Sequence, residues 1–305
     1  DEAWNYPDEK FRERWRIAIR KELKSLVEIR KVWRVIKRAS IPNGRRLVKS
    51  KWIFDIKRSG LFKVRLVACG YSQIPGVDFT ESYAPVINDV SWRILIIVML
   101  VWKLEAKIID VSTAFLYGDL EEDIYMKCRE VHGEDEVLHF LHSIYGLVQS
   151  ARRYYLKFTK KLRKIGFTGG YPDPCLMSRI NDNGICFIAI WVDDSLLVGH
   201  PNAIQQTIDD LQREGFDLKL DGSLDDYLSC EITFDRKKNV GWIHQPHLLT
   251  KLEKKFGDYV KDLQVYKTPG TPGLGTLRNP KTTVDADKHA IYRSGVGMLL
   301  YLVKH

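Results

Sequence analysis

The sequence lacks the features of a membrane-spanning or disulfide-rich protein. Its longest uninterrupted apolar run, residues 94–102, has nine residues, whereas a helix needs about 20 to cross a bilayer. Its five cysteines form no C-x-x-C pair, and its histidines have no cysteine or acidic partner at ligand spacing. These absences argue against a transmembrane protein, a disulfide framework and a zinc ribbon, and they favour a reducing compartment.

Acidic residues are scarce in the first 70 positions. This part contains 20 lysines and arginines against 8 aspartates and glutamates, a net charge of +12. The remaining residues contain 28 against 31, a net charge of −3. The uneven balance makes the basic end a candidate phosphate-binding surface. The alternative is a solvated helix face whose charges have ordinary salt-bridge partners.

The chain has 305 residues and a hydrophobic content of 45%, which is enough for one or two packed domains. Apolar residues at helical spacing predict an amphipathic helix over residues 8–28, and apolar runs around a turn predict a hairpin of residues 48–57 and 61–69. Further elements are predicted in chain order: a buried helix over 90–102, a strand over 107–111, a helix over 149–165, strands over 185–192 and 195–198, a helix over 201–215, a strand pair over 227–234 and 240–244, and an apolar element over 291–302.

Two of the predicted strands end on acidic residues. Asp110 lies at the end of the strand over 107–111, and Asp193 and Asp194 stand between two apolar strands, at the tip of a hairpin. Adjacent desolvated carboxylates cost several kcal/mol unless a cation compensates them, and Mg²⁺ prefers one or two carboxylates together with substrate phosphates. The pattern therefore predicts a two-metal phosphoryl-transfer site at which the three carboxylates converge. A polar turn without function is the alternative.

A series of short motifs occurs in one order along the chain. They are KVRLVACG at 63–70 with Gln73, GVDF at 76–79, APV at 84–86, DVSTAFL at 110–116, IYM at 124–126, IYGL at 144–147 with Gln149, VDD at 192–194 and YRS at 292–294. Together they closely resemble the reverse transcriptases of copia-like long-terminal-repeat retrotransposons, over about residues 33–269. The resemblance implies an α+β polymerase fold of the right-hand type, with fingers and an antiparallel palm sheet backed by helices, and RNA-directed DNA synthesis.

The resemblance also implies which residues hold the metal ions. Asp110, Asp193 and Asp194 would be the catalytic carboxylates and would bind two Mg²⁺ ions, with Mn²⁺ as a substitute. The main-chain carbonyl of Val111 would assist Asp110. A primer 3′-hydroxyl would then attack the α-phosphate of a deoxynucleoside triphosphate.

Five further residues are expected, by the same resemblance, at the nucleotide. Lys63 and Arg65 would grip the triphosphate, Gln149 would lie against the sugar, and Phe115 would lie beneath the sugar and leave no room for a 2′-hydroxyl. Lys219 would protonate the leaving pyrophosphate. For Lys63, Arg65 and Lys219 the alternative is a solvated surface charge, for Gln149 a residue at a helix N-terminus, and for Phe115 a core phenylalanine.

The chain departs from the family pattern at a few positions. Trp191 replaces the usual tyrosine before the VDD motif, and Cys69 stands where arginine is common. Cys230 takes the place of a glycine in the strand expected to grip the primer, with Ser229 before it, and Ala151 replaces a proline. None of these changes removes an expected metal ligand.

Three regions are predicted along the chain. Residues 1–45 would form the N-terminal amphipathic helix and its lead-in, and residues 46–267 the fingers and palm. Residues 268–305 would form a Gly/Pro linker, dense in turn residues over 268–280, and the start of a thumb or connection. Protease, zinc-knuckle, integrase and RNase H motifs do not occur in the sequence, and we expect a polymerase segment of a Pol polyprotein.

The expected partners follow from that resemblance. They are an RNA or DNA template with its primer, deoxynucleoside triphosphates, and the rest of the Pol polyprotein with its RNase H and integrase, but no membrane. The expected location is intracellular, in the cytoplasm or in retrotransposon particles. Two alternatives are a degenerate, catalytically weak or dead relic that binds nucleic acid through its basic N-terminal third, and a metal-dependent nuclease on an unrelated fold.

Overall fold

The protein is described by a computed structural model that covers residues 4–57, 59–127, 133, 135–221, 227, 230–261 and 285–304. The chain divides into two compact units. Within the described ranges, the first comprises residues 1–99 and 104–221, and the second comprises residues 100–103 and 222–305. The division after residue 221 falls inside the region 46–267, whose assignment to fingers and palm stays a prediction.

Most helices of the described residues begin where the sequence offers a capping group or a proline. They are α1 (Glu9–Lys24), α2 (Asp89–Val101), α3 (Ser150–Lys164), α4 (Pro201–Arg213), α5 (Pro246–Val260) and α6 (Ala286–Lys304). The Asp8 carboxylate accepts a hydrogen bond from the amide of Phe11 at 3.0 Å and so caps α1. Prolines begin α4 and α5, where a missing amide hydrogen costs nothing. None of these helices is long and apolar enough to span a membrane.

Helix α2 differs from the buried helix that the sequence predicts. Trp92 and Met99 are almost fully buried, but Val90 and Ile97 on the other side are more than half exposed. The prediction of burial is therefore correct for one face and wrong for the other. An apolar run of this length gives no periodic contrast between a covered and an uncovered face.

The strands of the described residues are short, and most of them pair with antiparallel neighbours. They are β1 (Trp33–Lys37), β2 (Leu47–Val48), β3 (Ser50–Ile56), β4 (Phe62–Ala68), β5 (Glu105–Val111), β6 (Tyr125–Met126), β7 (Glu136–Phe140), β8 (Thr168–Gly169), β9 (Leu176–Asn181), β10 (Gly184–Trp191), β11 (Asp194–Gly199), β12 (Leu218–Asp221), β13 (Glu231–Asp235) and β14 (Val240–His244). The predicted hairpins β3–β4 and β10–β11 are confirmed.

The centre of the first unit is a six-stranded antiparallel sheet with the order β12-β5-β11-β10-β9-β8. Its middle strands β10 and β11 read as near-continuous apolar runs because both faces are covered, and Ile188, Leu196 and Leu197 are fully buried. Helix α4 packs on these two strands. Helix α3 packs on the 3₁₀ turn Ala114–Tyr117 that follows β5. The α+β class, with an antiparallel sheet backed by helices, is confirmed.

A second, four-stranded sheet has the order β1-β7-β6-β2, in which β2 and β6 run parallel and the other pairs antiparallel. The core beside it contains Leu26, Leu66, Ile124 and Leu138, all fully buried. Because Leu66 belongs to β4 and Leu26 to the π-helical turn after α1, this core joins the sheet to the β3–β4 hairpin.

The β3–β4 hairpin is supported by α1. Trp15 and Ile19 form one hydrophobic cluster with Phe62 and Val64 of β4, and the rings of Trp15 and Phe62 are 4.3 Å apart. The Arg14 guanidinium lies over the Phe62 ring at 4.1 Å and donates a hydrogen bond of 2.7 Å to a carbonyl in the hairpin turn. The predicted amphipathic helix is confirmed, and its apolar face covers this hairpin.

The second unit contains the hairpin β13–β14 and the helices α5 and α6. Lys255 of α5 donates a hydrogen bond to Ser294 of α6 at 2.6 Å. The predicted strand over 227–234 is shorter in the structure and begins at Glu231. The apolar segment 291–302 lies in α6, and the predicted linker over 268–280 is outside the described residues.

Candidate active site

Three neighbouring strands of the six-stranded sheet bring charged side chains together at one end. Asp110, the last residue but one of β5, lies opposite Asp194, the first residue of β11. On its other side Asp110 lies opposite Lys219 of β12. Residues directly opposite each other in antiparallel strands present their side chains on the same face. The two carboxylates and the ammonium group therefore share one face of the sheet.

Asp193 lies in the tight turn that joins β10 to β11. The residue before it, Val192, has a φ of 52°, a left-handed conformation that is costly for a β-branched side chain. The Asp193 carbonyl accepts a hydrogen bond from the Val111 amide at 3.0 Å, and this bond ties the turn to the end of β5. The structure thus brings Asp110 and Asp194 face to face and the Asp193 main chain to the end of β5. The convergence of the Asp110, Asp193 and Asp194 carboxylates, here called the carboxylate cluster, on metal ions stays a prediction.

Lys219 already neutralises part of the carboxylate cluster. Its Nζ is 3.0 Å from Oδ2 of Asp110. The Lys219 side chain is 66% exposed and that of Asp110 is 31% exposed, so this ion pair contributes at most about 1 kcal/mol. A pair of this strength can open when a more highly charged group binds Asp110.

The carboxylate cluster suits a metal ion that arrives with phosphate ligands. Among the described residues, no three acidic, histidine or cysteine side chains are grouped closely enough to hold a metal by themselves. Mg²⁺ is usually bound by one or two carboxylates together with waters and substrate phosphates. Facing carboxylates on β5 and β11, with a third on the exposed turn, supply that donor set. The residues present therefore fit the implied metal.

The β3–β4 hairpin, here called the cationic hairpin, carries Lys63 and Arg65 on β4. Burial lowers the pKa of Lys63, and the positive charges of Arg65, Lys57 and Lys219 lower it further, whereas Asp110 raises it. Lys63 is therefore close enough to Lys219 and Asp110 to sense their charges. This proximity places positive charge beside the carboxylate cluster.

Glu22 of α1 adds a carboxylate next to the cationic hairpin. Its Oε1 accepts a hydrogen bond from the Leu66 amide at 3.2 Å. Burial raises the pKa of Glu22, while that hydrogen bond and the charges of Arg65 and Lys63 lower it. The Glu22 carboxylate thus accepts a hydrogen bond from an amide of β4 and also attracts Lys63 and Arg65.

Phe115 lies in the 3₁₀ turn that follows Asp110, and its ring is partly exposed. The ring is 5.6 Å from the ring of Tyr145 and 6.5 Å from that of Tyr154. Burial raises the pKa of Tyr154 far above its usual value, and the carboxylate cluster raises it further. Phe115 is therefore bordered by two tyrosines that sense these carboxylates, and its action as a barrier to a 2′-hydroxyl stays a prediction.

Residues 30–269, which include the carboxylate cluster and the cationic hairpin, match the model of the family described as reverse transcriptase (RNA-dependent DNA polymerase). The chain belongs to the reverse transcriptase family. The resemblance to copia-like retrotransposon enzymes is supported by curated relatives. The chain spans only about 15% to 25% of the length of these relatives.

Two plant relatives and one yeast relative illustrate the similarity. The retrovirus-related Pol polyprotein from transposon TNT 1-94 of Nicotiana tabacum is 32% identical over 282 residues, 87% of this chain and 21% of its own length. The Pol polyprotein from transposon RE1 of Arabidopsis thaliana is 31% identical over 229 residues, 72% of this chain and 15% of its own. The truncated transposon Ty1-A Gag-Pol polyprotein of Saccharomyces cerevisiae is 27% identical over 302 residues, 95% of this chain and 25% of its own.

Among solved structures, a foamy viral protease-reverse transcriptase in complex with double-stranded DNA is similar to this chain, with 13% identity and a TM-score of 0.45. The match covers 93% of this chain and 40% of the foamy viral chain.

Gln149 occupies an unexpected place for a residue that is expected to contact a nucleotide. Its side chain is fully buried at the start of α3. Its amide oxygen accepts a hydrogen bond from Gln73 at 3.0 Å, and its amide nitrogen donates one to the Asp78 carbonyl at 2.8 Å. The side chain is thus bonded inside the protein at both ends. Contact with a nucleotide sugar stays a prediction.

Three residues near the candidate site were not predicted from the sequence. Glu22 is one of few acids in a basic helix, and Tyr145 belongs to a motif that was given no role. Arg30 donates a hydrogen bond to Thr113 Oγ1 at 3.3 Å, and its guanidinium lies 4.0 Å from the Tyr117 ring centroid. Tyr145 could have been noticed because it is the aromatic residue of a family motif. The contacts of Arg30 join segments that are distant in the sequence, and such contacts leave no local pattern.

The departures from the family pattern are accommodated in the structure. Trp191 is half-buried and pairs with Asp194, and Cys69 is buried with its amide bonded to the Lys49 carbonyl at 2.7 Å. Ala151 borders a small cavity of about 60 Å³. In the second unit Cys230 is fully buried. None of them is a member of the carboxylate cluster.

Proposed function

We propose that this chain is the polymerase segment of a retrotransposon Pol polyprotein and extends a primer on an RNA or DNA template. The observation that carries the proposal is the facing pair of Asp110 and Asp194 on adjacent strands, with Asp193 tied to the end of β5. This arrangement supports the expectation that three carboxylates from two chain segments act at one place. A nucleotidyl transfer that uses two metal ions needs such convergence.

The residues that would hold the two Mg²⁺ ions are Asp110, Asp193 and Asp194, together with the carbonyl of Val111, and Mn²⁺ is a possible substitute. When bound, such ions neutralise phosphate charge and favour the deprotonated form of a primer 3′-hydroxyl. The contribution of the protein is to hold the carboxylates in register. The fully buried middle strands of the sheet fix that register.

The cations around the carboxylate cluster would bind the triphosphate and assist the departure of pyrophosphate. Lys63 and Arg65 of the cationic hairpin would donate charge-assisted hydrogen bonds to its oxygens. Lys219, now paired with Asp110, would exchange that partner for the pyrophosphate and hold the proton that the leaving group accepts. Phe115 would exclude a 2′-hydroxyl from the sugar position.

The partners of the whole protein are part of this proposal. A primed RNA or DNA template would lie along the basic N-terminal part, because residues 1–70 contain 20 lysines and arginines against 8 acids. Deoxynucleoside triphosphates would be the substrates, and RNase H and integrase the other parts of the polyprotein. We propose that the reaction takes place in the cytoplasm or in retrotransposon particles.

The test is primer extension on a homopolymer RNA template by the wild-type chain and by Asp193→Asn. The substitution keeps the shape of an exposed side chain but removes its charge. We therefore expect extension to be abolished, while the affinity for template-primer, measured by fluorescence anisotropy, stays within about twofold because phosphate contacts dominate it.

The matched control is Asp182→Asn. Asp182 is an exposed aspartate in the turn at the opposite end of β10, and its loss should leave extension unchanged. Equal extension by Asp193→Asn and wild type would refute the metal-binding role. A wild-type chain that binds template-primer but does not extend it with Mg²⁺ or Mn²⁺ would favour the nucleic-acid-binding relic.

A further inference from the structure

Tyr145 lies in the loop after β7 and is fixed against the cationic hairpin. Its main-chain carbonyl accepts a hydrogen bond from the Ala68 amide at 2.8 Å, at the end of β4. The next residue, Gly146, has a φ of +88°, and a Cβ on it would be 2.1 Å from the Ala68 carbonyl oxygen. Only glycine permits this approach, and the motif therefore holds Tyr145 at β4 by its backbone.

The Tyr145 ring lies between residues of two separate elements. On one side the Arg65 guanidinium carbon is 5.4 Å from the ring centroid, within the range of a cation–π interaction. On the other side the Phe115 ring meets it nearly edge-on, with centroids 5.6 Å apart and an angle of 66°. Tyr145 thus joins the cationic hairpin to the turn that follows Asp110.

Arg65 depends on this contact for its orientation. Its Nε is buried and has no hydrogen-bond partner among the described residues. The aromatic face of Tyr145 and the charge of Glu22 are two attractive groups near its guanidinium. Because a guanidinium stacks on an aromatic face in a defined plane, Tyr145 would set the direction in which Arg65 presents its donors.

The phenol group of Tyr145 senses the site directly. Burial, together with the charges of Glu22, Asp193 and Asp110, raises the pKa of Tyr145 to about 12, although the charge of Arg65 lowers it. The phenol therefore stays protonated at every pH at which a polymerase would be assayed. The Tyr145 side chain is therefore uncharged and lies close enough to Asp110 and Asp193 for their charges to affect its pKa.

We propose that Tyr145 is a positioning residue for the incoming nucleotide, which orients Arg65 toward the triphosphate and supports Phe115 beneath the sugar. The inference rests on the proposed polymerase function, which it deepens by naming a residue that acts on the nucleotide through Arg65 and Phe115. Gln149 is bonded inside the protein, whereas Tyr145 contacts both groups that would touch the nucleotide.

The test compares Tyr145→Phe and Tyr145→Leu with wild type. The measurements are the Kd of a deoxynucleoside triphosphate for the complex with a chain-terminated primer on its template, where no reaction occurs, and the ratio of kcat/KM for deoxy- and ribonucleotides. Tyr145→Phe keeps the ring and should stay within about twofold of wild type. Tyr145→Leu should raise the Kd by about 2- to 30-fold and reduce discrimination against ribonucleotides.

A double-mutant cycle makes the test independent of a general loss of packing. Arg65→Lys keeps the charge but loses the planar stack, so it should also raise the nucleotide Kd. If Tyr145 acts through Arg65, the effects of Arg65→Lys and Tyr145→Leu will not add in the double variant. Tyr155→Leu is the matched control, because Tyr155 is a half-buried tyrosine away from Arg65 and Phe115, and it should leave the nucleotide Kd unchanged.

The outcomes separate the two proposals. A folded Tyr145→Leu variant with the nucleotide Kd and sugar discrimination of an active wild type would overturn the inference and leave the polymerase function standing. Equal losses in Tyr145→Phe and Tyr145→Leu would overturn it as well, because the hydroxyl rather than the ring would then be responsible. A wild-type complex that neither binds nor incorporates nucleotides would overturn the polymerase function itself.

Discussion

The β10–β11 hairpin and the cationic hairpin both carry charged residues of the proposed site, but they are supported in different ways. The β10–β11 hairpin lies in the middle of six strands, and Ile188 and Leu197 are fully buried. The cationic hairpin forms a two-stranded sheet of its own, and Ile53 and Ile56 of β3 remain 40% and 49% exposed.

The difference teaches which part of the site depends on which contacts. A two-stranded hairpin is marginally stable by itself, and the cationic hairpin therefore depends on α1 and on the loop of Tyr145. The β10–β11 hairpin is held by strand pairing on both sides and by α4. The carboxylates that would hold metal are thus set by the sheet, whereas the cations that would hold phosphate are set by side-chain contacts.

The largest expected effect comes from a cavity in the buried hairpin. Leu197→Ala should lower the free energy of unfolding by about 2–5 kcal/mol, because truncation of a fully buried leucine leaves a cavity in the core. Ile56→Ala on the cationic hairpin should change it by about 0.5 kcal/mol or less. Urea unfolding followed by circular dichroism measures both. Similar losses in the two variants would contradict the contrast between the hairpins.

An intermediate effect, on the choice between deoxy- and ribonucleotides, is expected at Phe115, in the turn that follows β5. Phe115→Val would open space beneath the sugar, so ribonucleotides should be incorporated about 10- to 200-fold more readily, equivalent to about 1–3 kcal/mol of discrimination. Extension with deoxynucleotides should persist because the carboxylate cluster is unchanged. The ratio of kcat/KM for the two sugars is the measurement. Unchanged discrimination in a folded, active variant would make Phe115 a core residue.

The smallest effect concerns the pH dependence of the cationic hairpin. Burial and neighbouring cations lower the pKa of Lys63, so it loses its proton at a lower pH than an ordinary lysine. Only the protonated form binds phosphate well, and KM for the nucleotide should therefore rise with pH before the usual lysine range is reached. Lys63→Arg stays protonated and should flatten this rise. Identical pH profiles of KM in both proteins would remove Lys63 from phosphate binding.

Much of the six-stranded sheet around the carboxylate cluster could be predicted from the sequence. The apolar runs around Asp193 and Asp194 have one simple explanation, a buried hairpin with an acidic tip, and the strand that carries Asp110 is the natural partner for it. The register that sets Asp110 opposite Asp194 supports this expectation. These features are local or follow from strand pairing. The expected metal-binding roles of the three aspartates came from the order of the family motifs.

The four-stranded sheet could not be predicted in the same way. Its strands β2 and β6 have two residues each, and they pair segments almost 80 positions apart. Strands so short have no measurable alternation. The network around Gln149 was missed for a related reason: its partners Gln73 and Asp78 lie more than 70 residues away. A polar residue at a helix start carries no sign in the sequence that it is buried.

Helix α1 has a consequence for genomic copies of such an element. The helix precedes residue 30, where the match to the family begins, yet its Trp15 and Ile19 cover Phe62 and Val64. A copy whose codons for α1 have been deleted would retain every family motif of residues 63–194 and all three aspartates, but it would leave these two side chains facing water. Inventories that count intact motifs would therefore include copies in which the cationic hairpin has lost the helix that covers it.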